Sequence, residues 1–130
     1  MSYNVKPIDT QAAYDAFLAR PELIPHLSFM HTWEWGEVLR QEAPAFFRLG
    51  IYDDHDELIG VCNVVKKPLR VGGYYWYAPR GIAMNYASKR SVTKAYEILN
   101  DYMREKGGAF FKVDPDLVHD DPAVAAIDAL

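Results

Sequence analysis

The chain has 130 residues, half of them hydrophobic, which is the length of one domain and enough apolar material for a core. Its 14 basic and 18 acidic residues leave a formal net charge of -4, which argues against a general nucleic-acid or membrane-surface binder while leaving room for a local basic patch. The single cysteine, Cys62, excludes an internal disulfide and has no metal-ligand spacing around it; with no signal-peptide pattern at the start and no run near the ~20 apolar residues that span a bilayer, the chain reads as cytoplasmic.

Residues 3–8 form a short strand, after which Asp9 or Thr10 caps a helix. Ala13, Tyr14, Phe17 and Leu18 recur at helical spacing, and Pro21 stops that helix. A loop with Pro21 and Pro25 leads to Thr32, the cap of a second helix. Glu34 and Glu37 suit its first turns, and Trp35, Val38 and Leu39 make one apolar face. Pro44 ends it. Residues 45–52 and 58–67 are β-rich and flank a polar turn at 53–57, so they pair as an antiparallel hairpin. Cys62 falls in the apolar run 58–65 and reads as a small buried hydrophobe. Pro68 and Gly72-Gly73 break the chain before a third strand, 73–78. After the loop at Pro79-Arg80-Gly81, Ser88 or Ser91 caps a third helix. Val92, Ala95, Tyr96, Leu99 and Met103 mark its buried face, and Gly107-Gly108 closes it. Residues 109–113 are a further strand, ended by Asp114-Pro115, and residues 122–130 begin a helix.

This order predicts an α/β protein with a mixed sheet: a strand meander, one crossover helix and a further strand. It is similar to the opening of the GNAT (acyl-CoA N-acyltransferase-like) fold, incomplete at the C-terminus. That fold has the third meander strand and the strand after the crossover helix running parallel, with ligands entering where they splay apart. Two or more strands would follow in a complete domain. Strand 109–113 is then an edge, and exposed edges invite pairing, so a homodimer or poor solubility is expected.

Three phrases carry a more specific resemblance. They are Phe29-Met30-His31-Thr32-Trp33-Glu34-Trp35-Gly36-Glu37, then Tyr77-Ala78-Pro79-Arg80-Gly81, then Phe110-Phe111-Lys112-Val113-Asp114-Pro115. Their wording and order resemble the Fem family of peptidoglycan-branching aminoacyltransferases, the methicillin-resistance-factor-like enzymes. His31 stands where the family often has Gln, and Ile82 where it usually has Pro. Family enzymes carry two GNAT-like domains, so residues 1–130 correspond to a single, truncated first domain. The resemblance implies transfer of an amino acid from aminoacyl-tRNA to the side-chain amine of a UDP- or lipid-linked muramyl-pentapeptide. It implies no cofactor beyond aminoacyl-tRNA as co-substrate, which a second domain would engage. This part would help bind the acceptor, and whether it is an enzyme by itself is left open.

Arg80 is the leading site residue. It lies in the loop at the strand-to-helix crossover, where α/β sheets bind ligands, and an arginine there can grip a phosphate or carboxylate. The alternative is a surface arginine in a turn. Arg40, at the end of the second helix, lies near a basic position that some family members use for the diphosphate; as a helix-end cation it also satisfies the dipole, which is the preferred reading. Tyr75 and Tyr77 share one strand face, Tyr74 and Trp76 the other. One face is core, and Tyr75 and Tyr77 would line a groove for a sugar or peptide. Trp33 and Trp35 read as core. Lys66 and Lys67 read as a solvated strand end. Asp114 can act as a base, bind an amine or cap the following turn; the turn role is preferred. The histidines show no clustering, and no nucleophile has a base beside it.

Two other readings stay open. A small acyl-CoA-dependent N-acetyltransferase needs a glycine-rich turn for pyrophosphate at a helix N-terminus, and residues 80–85 lack that pattern. A non-catalytic binding module would use the open sheet edge. The sequence leaves open which amino acid is transferred and which form of acceptor is used.

Overall fold

The computed structural model describes residues 2–43 and 45–114. In chain order its elements are β1 (Asn4–Pro7), α1 (Gln11–Leu18), short 3-10 turns at Pro21–His26 and Phe29–His31, α2 (Trp33–Glu42), β2 (Phe46–Tyr52), β3 (Leu58–Pro68), β4 (Tyr74–Ala78), β5 (Ala83–Met84), α3 (Lys89–Arg104) and β6 (Phe111–Val113). The expected helix at residues 122–130 lies outside the described residues. The two-residue β5, in a stretch whose sequence reads as loop, is a strand because it pairs with β3. Among the described residues no helix is long and apolar enough to cross a membrane.

The strands form one sheet in the order β1-β2-β3-β4-β6, with β5 also on β3. β4 and β6 run parallel, joined by the α3 crossover, and the other pairs are antiparallel. The period of two along each strand sorts side chains to two faces. Leu49, Ile51, Cys62, Val64, Trp76 and Ala78 face α3 and pack with Val92, Ala95, Tyr96, Leu99 and Met103. Burial pushes the Cys62 thiol up to about 12, as expected for an inert core thiol. On the other face Val61 meets Ile8, Tyr14, Phe17 and Leu23 under α1.

α2 covers β2 and β3 with a different stripe from the one its apolar residues suggest. Gly36 and Leu39 are buried, whereas Val38 is exposed and Trp35 only half-buried. Trp35 stands edge-on to the exposed Phe29 at 5.2 Å, so it is not a core residue. The reason lies beneath the helix. A Cβ on Gly36 would stand 2.6 Å from Arg48 Nη2 and 2.8 Å from Asn63 Oδ1. These two polar strand residues, rather than an apolar floor, decide which side of α2 faces the sheet.

Between β4 and β5 the chain leaves the sheet. β4 pairs with β3 as far as Tyr77 opposite Val65, and β5 resumes with Ala83 opposite Val61. Residues 78–82 therefore stand opposite only residues 62–64, and the surplus loops out as a wide bulge. The bulge follows β4 and Asp114 follows β6, so they meet at a corner just beyond the paired ends of the two strands.

Candidate functional site at the β4–β6 corner

The corner is built around Arg80. Gly81 N–H donates to Ala78 C=O at 3.0 Å, closing a turn with Pro79 in second place and Arg80 in third. Arg80 has φ +61, a left-handed conformation that such a turn demands and that usually falls to Gly or Asn. Gly81 follows with φ +67, which its lack of a side chain permits.

Side chains from distant elements hold this peptide. Asp114, just past β6, accepts the Arg80 N–H on Oδ1 at 2.6 Å and the Tyr77 hydroxyl on Oδ2 at 2.8 Å. Its carboxylate thus stitches β6 to the end of β4. The turn that Asp114 is expected to cap lies outside the described residues, and this bridge is a further role for the same carboxylate. Burial, the bond to Asp114 and the negative charge of that carboxylate push the Tyr77 phenol up to about 12, with Arg80 opposing. Tyr77 therefore remains a donor at neutral pH.

From the other side, His31 Nε2 lies 3.1 Å from the Arg80 carbonyl oxygen. Its Nδ1 accepts the Ser28 N–H at 3.1 Å, so the proton of the neutral ring sits on Nε2, which donates to Arg80. His31 is 1% exposed, at the end of the turn leading into α2. That turn is anchored in turn: Asn63 Nδ2 donates to the carbonyls of Met30 and Thr32, each at 3.1 Å. Arg48 Nη2 donates to Trp33 C=O at 2.9 Å, with its guanidinium 3.5 Å from the Trp33 ring centroid. Burial lowers the Arg48 pKa, and Glu37, 3.6 Å away, works against that.

Behind the bulge, Ile82 is locked by two buried tyrosines. Its N–H donates to Tyr96 Oη at 2.9 Å, and Tyr86 Oη donates to its C=O at 2.6 Å. The two hydroxyls meet each other, which closes a ring in which every donor has an acceptor. Burial, as the largest cause, raises both phenol pKa values, so the ring holds its protons.

Of the residues singled out from sequence, Arg80 and Tyr77 meet at this corner. The Arg80 side chain is exposed and makes no ion pair among the described residues. Tyr75 shares the Tyr77 face and stacks on Phe110 at 4.7 Å; Lys112 lies over Tyr77 at 5.2 Å. Arg40 is elsewhere. It sits in the last turn of α2, 3.5 Å from Glu37 and over the Phe46 ring, while Arg80 is held beside the first turn. Sequence reading passed over His31, Arg48 and Asn63. The available signal was a polar residue inside an apolar strand run, Arg48 between Phe47 and Leu49 and Asn63 within the run 61–65.

A mixed sheet with a parallel β4–β6 pair, a bulge beside it and a crossover helix is the architecture of GNAT-type acyltransferases, and solved structures share it. The chain superposes on glucosamine-6-phosphate N-acetyltransferase from Arabidopsis thaliana with a TM-score of 0.60 at 11% identity, covering 100% of this chain and 92% of that one. Ribosomal-protein-alanine N-acetyltransferase from Brucella melitensis biovar Abortus 2308 gives 0.62 at 17% identity, covering 100% and 91%. The crystal structure of FemX gives 0.73 at 20% identity. There the match covers 99% of this chain but 31% of that one, so this chain spans about a third of FemX. No curated protein matches the chain.

The model of the FemAB family matches residues 10–123. The chain belongs to the FemAB family.

Proposed function

We propose that this chain is the acceptor-binding part, and the first of two domains, of an aminoacyltransferase. The enzyme adds amino acids from aminoacyl-tRNA to the peptide of a peptidoglycan precursor. Family membership supports the reaction class. The observation that supports the acceptor role is the convergence of Arg80, Tyr77 and Asp114 at the ends of β4 and β6.

Each group has chemistry suited to a muramyl-pentapeptide. The guanidinium of Arg80, without an ion pair among the described residues, can take a diphosphate or carboxylate in paired bonds. Tyr75 and Tyr77 offer ring faces on one side of β4. Asp114 accepts one bond on each oxygen among the described residues, and a carboxylate oxygen has capacity for a second, so it can hold the acceptor's ammonium or take its proton. In the reaction the amine nitrogen forms a bond to the ester carbonyl carbon. The bond from that carbon to the ribose oxygen of tRNA breaks, the amine gives up a proton, and the released ribose oxygen takes up a proton to become a hydroxyl. Positioning and oxyanion stabilisation suffice for such a step. The aminoacyl ester is already activated, so no cofactor is required. Aminoacyl-tRNA is the co-substrate, engaged by the second domain.

An acyl-CoA reading has less support, because residues 80–85 lack the glycine-rich pyrophosphate turn and several N–H groups along residues 80–91 are already engaged. Arg80 donates to Asp114, Gly81 to Ala78, Ile82 to Tyr96, Ala87 to Asn85 and Ser91 to Ser88. An NMR titration of the labelled chain decides between them. UDP-linked muramyl-pentapeptide is expected to shift the resonances of Tyr77, Arg80, Gly81 and Asp114, and acetyl-CoA in a separate sample to leave them unmoved. Shifts with acetyl-CoA alone would replace the reading with an acetyltransferase. No shift with either would remove the acceptor role from this corner.

A further inference from the structure

The Arg80 peptide is gripped at both ends by side chains that come from far along the chain. Its N–H goes to Asp114 at 2.6 Å, 34 residues on, and its C=O to His31 at 3.1 Å, 49 residues back. Neither bond belongs to a strand ladder. The residue between them has φ +61, which an L side chain adopts only at a cost and which persists only where the surroundings impose it. A loop that merely had to turn would carry glycine here, and the exposed guanidinium contributes no ion pair among the described residues. The cost therefore has its return in where the guanidinium is carried, rather than in the fold.

His31 is the part of this grip that stays clear of the groups assigned to the acceptor. It is buried, its tautomer is set by the Ser28 N–H on Nδ1, and its turn is pinned by Asn63. Resting on the acceptor-binding reading, we infer that His31 is a positioning residue. Through the Arg80 carbonyl it holds the strained peptide, so that the guanidinium stands ready at the corner for an anionic group of the acceptor, a diphosphate or a carboxylate. Such preorganisation removes an ordering cost from binding.

Three measurements on the whole chain test this. In long-range proton–nitrogen spectra the wild-type imidazole should be the neutral tautomer protonated on Nε2; protonation on Nδ1 would overturn the inference. Without ligand, His31→Gln places an amide donor near the Nε2 position, so the Arg80 Cα and Cβ shifts should keep their left-handed values. They should lose them in His31→Ala, and unchanged shifts there would overturn the inference. Finally, Arg80→Ala and His31→Ala should each weaken binding of UDP-linked muramyl-pentapeptide by about tenfold. The double variant should bind no worse than Arg80→Ala, and His31→Gln should recover most of the loss. Losses that multiply would show His31 acting independently of Arg80, which overturns its positioning role but leaves the acceptor reading standing. If Arg80→Ala binds as the wild type does, the acceptor reading of Arg80 fails and takes the inference with it. His31→Gln keeps both arms interpretable if His31→Ala does not fold.

Discussion

On the α3 side of the sheet, Leu49, Ile51, Cys62, Val64 and Trp76 close against Val92, Leu99 and Met103 with little exposed surface. On the α1/α2 side the same strands carry Arg48, Asn63 and Tyr77, and their partners are backbone carbonyls and a carboxylate. The apolar face supplies stability through burial, which is strong but indifferent to direction. The polar face supplies direction: each bond fixes one carbonyl or one N–H, and the chain of bonds ends at Arg80. A buried polar group contributes little net stability when satisfied and costs much when orphaned. The second face is thus better suited to shaping a site than to holding the fold.

The largest expected effect falls on the apolar face. Leu99 is fully buried, and Leu99→Ala should cost about 2–5 kcal/mol by chemical denaturation. Acceptor affinity measured well below the melting temperature should not change, and a parallel loss of affinity would break the division between the faces. Gly36→Ala comes next. Alanine is the better helix former by ~1 kcal/mol, so propensity alone predicts a gain. The new Cβ instead meets Arg48 and Asn63 within 2.8 Å, and Arg48 is 4% exposed and pinned. A net loss of about 1–3 kcal/mol is expected, and a gain in melting temperature would show that the polar layer can yield.

Tyr77→Phe removes one bond from Asp114 and should cost about 1 kcal/mol, while weakening acceptor binding more than stability. The variant also has a pH signature. The folded-state pKa of Tyr77 is raised to about 12 from 10.0, so its contribution is complete below pH 10 and is lost as pH climbs toward 12, where the unfolded chain ionises first. Buried Tyr14, Tyr86 and Tyr96 shift in the same direction. The decline should therefore become shallower in Tyr77→Phe, not vanish; an unchanged slope would deny Tyr77 its part in it. The smallest effect has the opposite sign. Arg80→Gly relieves the left-handed strain and should stabilise the chain by about 0.5–1 kcal/mol, while acceptor binding falls. A variant both more stable and weaker in binding would sharpen the comparison, whereas lower stability would mean that Arg80 serves the fold.

Much of the architecture was legible in the residues alone. The spacing of Val92, Ala95, Tyr96, Leu99 and Met103 gave the buried face of α3, the β-rich runs 45–52 and 58–67 around a polar turn gave the hairpin, and Gly107-Gly108 marked where α3 ends, with φ +81 and +89. These are local matters: period, cap and turn chemistry act over a few residues, so a sequence window contains them. The crossover-loop position singled out Arg80 and the strand face Tyr77, and the structure brings these two together.

Tertiary structure decided what depends on atoms distant in the chain. The α2 face was misjudged because its floor is Arg48 and Asn63, and no window around residue 36 contains them. His31 looked isolated among the histidines because one of its partners is the carbonyl of residue 80. The bridging role of Asp114 was missed because Tyr77 and the Arg80 N–H reach it only across the β4–β6 pair. Hydrophobic periodicity reports which way an element faces, since burial has no direction beyond inside and outside. A hydrogen bond needs its donor and acceptor within about 3 Å of each other and aligned, and only the folded sheet brings residues 31, 80 and 114 to that distance.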